Sequence, residues 1–173
     1  MVMGIGNKAG VVYLIDFGLS KQFRDPKTHI HIPFSNSDAA HRLTGSAVFA
    51  SIHSHLGQEL GRRDDLESLA YILIYFLRGS LPWQTRQSLN EEDSILKIKQ
   101  QITVQELCLG LPVEFLKFLN YTHSLSFDDK PDYGYLCDLF EHLLIRKGFQ
   151  NGLSFDWDVD DIAMSHKVSV CEK

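Results

Sequence analysis

The chain has 173 residues, a net charge of -5 and a sequence pI near 5.9, with 44% hydrophobic residues. That balance supplies enough apolar mass for one packed domain and argues against disorder, a dedicated nucleic-acid binder or a polybasic membrane binder. The longest apolar run, Leu69 to Leu77, is too short to span a bilayer, which takes about 20 helical residues.

Taken from the start, "MVMGIGNKAG" lacks the charged and apolar regions of a signal peptide. Its "NKAG" reads as a turn, and the β-branched run Val11 to Ile15 as the second arm of a short hairpin. From Phe17 to Ala50 no period is sustained, and such loops are usually functional or mobile. Then "DDLESLAYILIYFLRGSLPW" reads as a helix, with Asp64 or Asp65 as N-cap and Gly79 and Pro82 at its end. Leu66, Leu69, Ile72, Leu73, Phe76 and Leu77 keep helical spacing, while Tyr71, Ile74 and Tyr75 fill the other side. A helix apolar nearly all round is expected to be central and buried.

"EEDSILKIKQQI" is more amphipathic. "VQELCLGL" and "PVEFLKFLNYTHSL" predict two more helices, the second with Pro112 at its start. "PDYGYLCDLFEHLLIRKG" predicts another, with Arg146 and Lys147 in its last turn and Gly148 as C-cap. Residues 159–173 read as a polar, frayed tail. Cys108, Cys137 and Cys171 have no metal-type spacing and read as reduced thiols of an intracellular, cytoplasmic protein, with the nucleus as the alternative compartment. Cys108 and Cys137 fall on apolar helix faces and are expected in the core. His29-x-His31 and His53-x-His55 are formal zinc pairs without nearby Cys, and Arg62 and Arg63 beside Asp64, Asp65 and Glu67 read as a structural ion-pair cluster.

Asp16-Phe17-Gly18 follows the hairpin strand. Alone it could be a solvated turn. In the order strand, Asp-Phe-Gly, irregular loop, buried helix, it matches the second half of a protein kinase, where the Asp carboxylate bridges magnesium to the nucleotide phosphates. The stretches "LIDFGLSKQFRDPKTHIHIPF", "LTGSAVFASIHSHLG", "RRDDLESLAYILIYFLRGSLPWQ" and "FDDKPDYGYL" resemble the casein kinase 1 family of Ser/Thr kinases, over residues 1 to 157. Ser51-Ile52-His53 stands where that family has Ser-Ile-Asn and most kinases have Ala-Pro-Glu.

The resemblance implies a mainly α fold: a partial kinase domain over 1–158, made of the C-terminal lobe and a short β-hairpin, without the N-terminal lobe. It places the start of the chain just past the family's catalytic loop, so the Gly-rich loop, the ATP-pairing Lys and the catalytic Asp and Asn are expected upstream of Met1. The catalytic base is then not among these residues, and Ser46 matches only a supporting Thr that contacts it. Asp16 matches the magnesium ligand, and Val2 and Ile15 the apolar floor of the adenine pocket. Lys21, with Gly45 nearby, matches an anion site. Asp65 matches the helix Asp that braces the catalytic-loop backbone.

The complete parent would use ATP and Mg²⁺ to phosphorylate protein or peptide Ser and Thr. For this chain alone nucleotide binding is expected to be weak or absent, with peptides and the missing kinase half as partners, and neither nucleic acid nor membrane. The alternative is a non-catalytic, pseudokinase-type module that docks peptides or partners. Val48 replaces a phosphate-binding Arg, and "TRQSLNEEDS" replaces a basic segment after Trp83, so the resemblance leaves recognition of phosphate-primed substrates open.

Overall fold

In the computed structural model, residues 1–35, 43–84 and 91–149 are described; the expected tail over 159–173 and Cys171 lie outside them, as do residues 85–90 of the acidic segment. The described residues are mainly helical, with one two-stranded antiparallel hairpin, and no helix is long and apolar enough to cross a membrane. The sequence reads as one domain over 1–158; the chain divides into two compact units, Met1–Gly18 with the segment from Leu144 onward, and Leu19–Leu143.

In the first unit, β1 (Val2–Met3) pairs with β2 (Val12–Tyr13), with Val2 opposite Tyr13 and Met3 opposite Val12. A 3₁₀ turn at Gly6–Lys8 joins them, and the Gly4 N–H donates to the Val11 carbonyl at 2.8 Å. The "NKAG" turn and the Val11 to Ile15 arm fall where the sequence puts them, although the ladder itself is shorter.

The second unit is built around α2 (Arg62–Arg78). The described residues of the aperiodic stretch before it, 17–35 and 43–50, make local bonds of their own. Residues 23–32 form a small backbone ladder through the Arg24–His31 bridge, with Asp25 capping the tip. A turn over Ser46–Ala50 follows, then the short helix α1 (Ile52–His55), whose N-cap Ser51 accepts from the Ser54 N–H at 3.1 Å. After α2 come α3 (Glu91–Gln101), α4 (Val104–Leu107), α5 (Val113–Ser124) and α6 (Tyr133–Arg146), whose residues from Leu144 on count with the first unit.

α2 begins two residues before the expected cap. Gly61 is the N-cap, and Asp64, at the third helical position, reaches back to accept the Gly61 N–H at 2.8 Å. The carboxylate does satisfy an end donor, but from inside the first turn. Gly61 is required by close approach: a Cβ there would lie 2.6 Å from the Phe127 carbonyl oxygen. One face of α2 buries Leu66, Ala70, Tyr71 and Ile74 against Phe115, Phe118 and Leu119 of α5, with Trp83 edge-on to Tyr71 at 5.0 Å. Burial on every side is not realised. Asp65 is exposed, and Phe76 and Leu77 are 69% and 53% exposed.

α4 opens on a capping box, Thr103 with Glu106. α6 ends in a Schellman motif: Phe149 N–H donates to the Leu144 carbonyl and Gly148 N–H to that of Ile145, with Gly148 at φ +78°. Cys108 is buried as expected, but Cys137 is exposed. It sits one position past Leu136, and 100° of helical rotation carries it off the Leu136/Leu139 stripe.

Candidate functional site

The candidate magnesium ligand lies in the first unit. Asp16 follows the hairpin strand with φ +64°, one of two non-glycine residues with positive φ among those described, and the Gly18 N–H donates to its Oδ1 at 3.3 Å. A left-handed backbone costs an ordinary L-residue about 1–2 kcal/mol, less for Asp, and such outliers concentrate at functional positions. The result is a tight elbow with an exposed carboxylate. Hard cations take oxygen ligands, and this side chain fits that role. Val2 and Ile15, the candidate adenine floor, are 44% and 53% exposed in the same unit.

The second unit carries a cleft of about 690 Å³. Lys21, Glu59, Gly45, Ser51, Arg62, Asp64 and Asp65 all line it. The candidates Lys21, Gly45 and Asp65 therefore share one cavity, while exposed Ser46 lies beside it, next to Gly45, and its hydroxyl has no partner among the described residues. Val2, Ile15 and Asp16 belong to the other unit.

Lys21 does not present a free ammonium. Its Nζ lies 2.7 Å from both carboxylate oxygens of Glu59. An anion at Lys21 must compete with that carboxylate, which together with Val48 leaves the expected anion site weak. Arg62 is turned to other work: it lies over the Phe23 ring at 4.4 Å and donates to the Asp128 carbonyl. Asp65 has no hydrogen-bond partner among the described residues. Partial desolvation and then the adjacent Asp64 carboxylate raise its pKa above the usual carboxylate value.

Behind the cleft is a buried polar network. Asp64 accepts from the Ser51 hydroxyl at 2.9 Å and the Gly61 N–H at 2.8 Å, with His53 Nδ1 at 2.9 Å. Burial pushes Asp64 up, but His53, Gly61 and Ser51 outweigh it and hold the carboxyl below its ordinary value. Glu67, one turn on, accepts from the Ile52 N–H and the Tyr71 hydroxyl at 3.0 and 2.6 Å, with His123 Nε2 at 3.7 Å. Burial raises Glu67 too, and again its partners, His123 first, bring it below its ordinary value. Of the expected ion-pair cluster only Arg63 with Asp64, at 3.8 Å, forms among the described residues; Arg62 bonds the Asp128 carbonyl instead, and Glu67 meets His123.

His53 and His55 take different partners. His53 joins Asp64 and Glu67, with ligand atoms within 4.8 Å of one another, whereas His55 Nε2 lies 3.0 Å from the Ala47 carbonyl. His31 stacks edge-on to Phe127 at 4.8 Å. Protein donors reach both Asp64 oxygens and Oε1 of Glu67, which ties this cluster into the buried polar network.

Sequence reasoning missed Lys99. It is buried, 3% exposed, with Nζ at 2.6 Å from the Ala50 carbonyl and 3.0 Å from that of Ala47. The available signal was its place four residues after Ile95, on the buried face of α3. A scan of the chain against protein-family models finds no match.

Proposed function

We propose that this chain supplies the C-terminal-lobe part of a casein kinase 1-like Ser/Thr protein kinase, the parent reaction being transfer of the ATP γ-phosphoryl group to a protein hydroxyl. The observation that carries this reading is the Asp16 elbow: an exposed carboxylate, set by a left-handed backbone three residues past β2, directly before Phe17-Gly18. Magnesium held there would neutralise charge on the transferring phosphoryl group. Val2 and Ile15 offer apolar surface to the nucleotide base, and the Lys21–Asp65 cleft offers a docking surface to peptide.

The 173 residues contain no His-Arg-Asp sequence, so the residues in hand provide a metal ligand and a platform but no base. The purified chain is therefore expected not to phosphorylate an acidic model peptide with radiolabelled ATP. Turnover that survives repeated purification and vanishes in Asp16→Ala would contradict that. The metal assignment is tested with Mn²⁺·ATP, whose paramagnetism broadens nearby amide resonances. Broadening is expected at Asp16 to Gly18 with millimolar affinity, worth about 4 kcal/mol, and absent in Asp16→Ala. Broadening elsewhere only, or equal in both proteins, overturns the assignment.

A second reading, a non-catalytic docking module, is favoured by the cleft. Its Asp65 carboxylate is unpartnered among the described residues, and the Lys21–Glu59 pair leaves little free positive charge. Such a surface suits a segment that brings donors rather than phosphate. Peptide binding in the cleft by a chain in which Mn²⁺·ATP broadens no resonance at Asp16 to Gly18 supports this reading.

A further inference from the structure

The turn Ser46–Ala50 packs Ala47, Val48 and Phe49 against the core, with the Phe49 ring edge-on to Tyr75 at 5.5 Å, and its polar contacts are made by its carbonyls. Ser46 accepts from the Phe49 and Ala50 N–H groups, both at 2.9 Å. The Val48 carbonyl takes the Trp83 indole N–H at 2.8 Å. Those of Ala47 and Ala50 take Lys99 Nζ, which also lies 3.2 Å from His55 Nε2. An ammonium has three N–H donors and no acceptor. Lys99 meets three acceptors, and the faces of Tyr71 and Trp83 lie 4.9 and 5.0 Å from its nitrogen. Four parts of the chain converge on one buried cation: the turn, α1, α2 and the Trp83 loop.

We propose that Lys99 is a positioning residue for the Ser46–Ala50 turn, gripping it as an ammonium and loosening it when it loses its proton. The geometry makes the two states different in kind. As an ammonium, Lys99 donates to both carbonyls and to His55 Nε2, which must then be unprotonated. As a neutral amine it has two donors and one lone pair, and His55 Nε2–H can turn to the Ala47 carbonyl, which it already approaches at 3.0 Å. Deprotonation thus removes one donor and all charge assistance from the turn.

The charged and titratable groups facing Lys99 are His55 from α1 and Glu67 and Tyr71 from α2. His53 and His123 stand behind them, on Asp64 and Glu67. Among the described residues no carboxylate bonds Lys99 directly. Burial pushes its pKa down to about 7, and Glu67 opposes this only in part. The exchange therefore falls at physiological pH. Under the kinase reading the turn carries Ser46 and Val48 beside the peptide cleft, so the device would set substrate access. The grip itself rests on this chain's geometry and not on that reading.

The test is a pH titration of the full chain with ¹³C-labelled lysine, following the Lys99 ¹³Cε shift, the Trp83 indole N–H and exchange at the Phe49 and Ala50 amides. The Lys99 shift is expected to titrate near pH 7, with the Trp83 N–H moving in step. Loss of a charge-assisted bond should cut protection of the two amides about tenfold to a hundredfold, beyond the ordinary base dependence. Lys99→Arg, which stays charged, should keep the amides protected across the range; Lys99→Met should leave them unprotected throughout. If either variant fails to fold, the Lys99 resonance in the unaltered chain still decides. A ¹³Cε midpoint near the ordinary lysine value, or a Lys99 titration that leaves the turn amides and the indole unmoved, overturns the proposal. None of these readouts requires phosphoryl transfer, so failure of the kinase reading would not imitate failure here.

Discussion

Asp64 and Glu67 are carboxylates one helical turn apart, 3% and 2% exposed, and each stays ionised because several donors converge on it. Truncating one strands its donors. Glu67→Ala leaves the Tyr71 hydroxyl, the Ile52 N–H and His123 without their acceptor, and is expected to cost about 3–5 kcal/mol in urea unfolding. Glu67→Gln keeps an oxygen in place and should cost clearly less; equal losses would mean that the hydrogen bonds do not hold this site. The same groups set the pH response. Asp64 and Glu67 are held below their unfolded values, so their contribution is complete above the ordinary carboxylate range, about 4, and is lost as pH falls through the folded values. Lys99 acts with the opposite timing. Between about 7 and the ordinary lysine value of 10.5, the unfolded chain keeps a proton that the folded chain gives up, so stability rises with pH across that window. Urea midpoints at graded pH should climb out of acid and climb again above neutrality. Lys99→Met should flatten only the second rise.

At the scale of elements, glycines mark where the backbone has no alternative. Gly61→Ala drives a Cβ toward the Phe127 carbonyl and is expected to cost about 1–3 kcal/mol as overpacking. Gly148→Ala asks only for a left-handed alanine at the end of α6, about 1 kcal/mol. Denaturant midpoints that rank the two the other way would contradict the close packing at Gly61. Helix ends written in local chemistry, Gly79, Pro112 and Gly148, were legible in the sequence. The start of α2 was not, because Asp64 caps it from the third helical position, and spacing does not show which way a carboxylate folds. Cys137 misled for a related reason: the apolar stripe of α6 is narrower than its composition. Lys99 was passed over because a lysine in an amphipathic helix reads as solvent-facing, although its place four residues after Ile95 put it on the apolar face. Lys21, Gly45 and Asp65 came from resemblance alone. The cleft gathers them, but the Glu59 carboxylate, 38 residues from Lys21, could not be assigned to it by any local pattern.

For the whole molecule, the large side chains left in solvent matter most. Phe76, Leu77 and Leu109 in the second unit, and Ile5, Leu14 and Phe17 in the first, are each at least half exposed. Large exposed apolar side chains of this kind raise the tendency to associate where they lie next to one another. The chain by itself is expected to bind an apolar-surface dye, with Phe76→Gln lowering the signal without loss of stability. Dye-free protein with a sharp melt above about 55 °C, well inside the mesophile range, would mean that this surface is satisfied. The two-stranded hairpin of the first unit is marginal by construction, and its amides should exchange well before those of α2 and α5.

The small ladder over residues 23–32 bears on how a protease meets this protein. Trypsin needs several residues of free, extended backbone around the scissile bond. Here Ile32 N–H is tied to the Phe23 carbonyl and Asp25 N–H to that of Ile30, while the Asp25 carboxylate takes the N–H groups of Lys27 and Thr28 and the Thr28 hydroxyl. Arg24 and Lys27 are thus exposed in side chain but shielded in main chain, and digestion there must wait for the ladder to unzip. Asp25→Ala removes the three tip bonds together and should make the Lys27–Thr28 bond the first cut of the region. An unchanged digestion pattern in that variant would mean that the ladder, without its tip, is enough to keep the enzyme out.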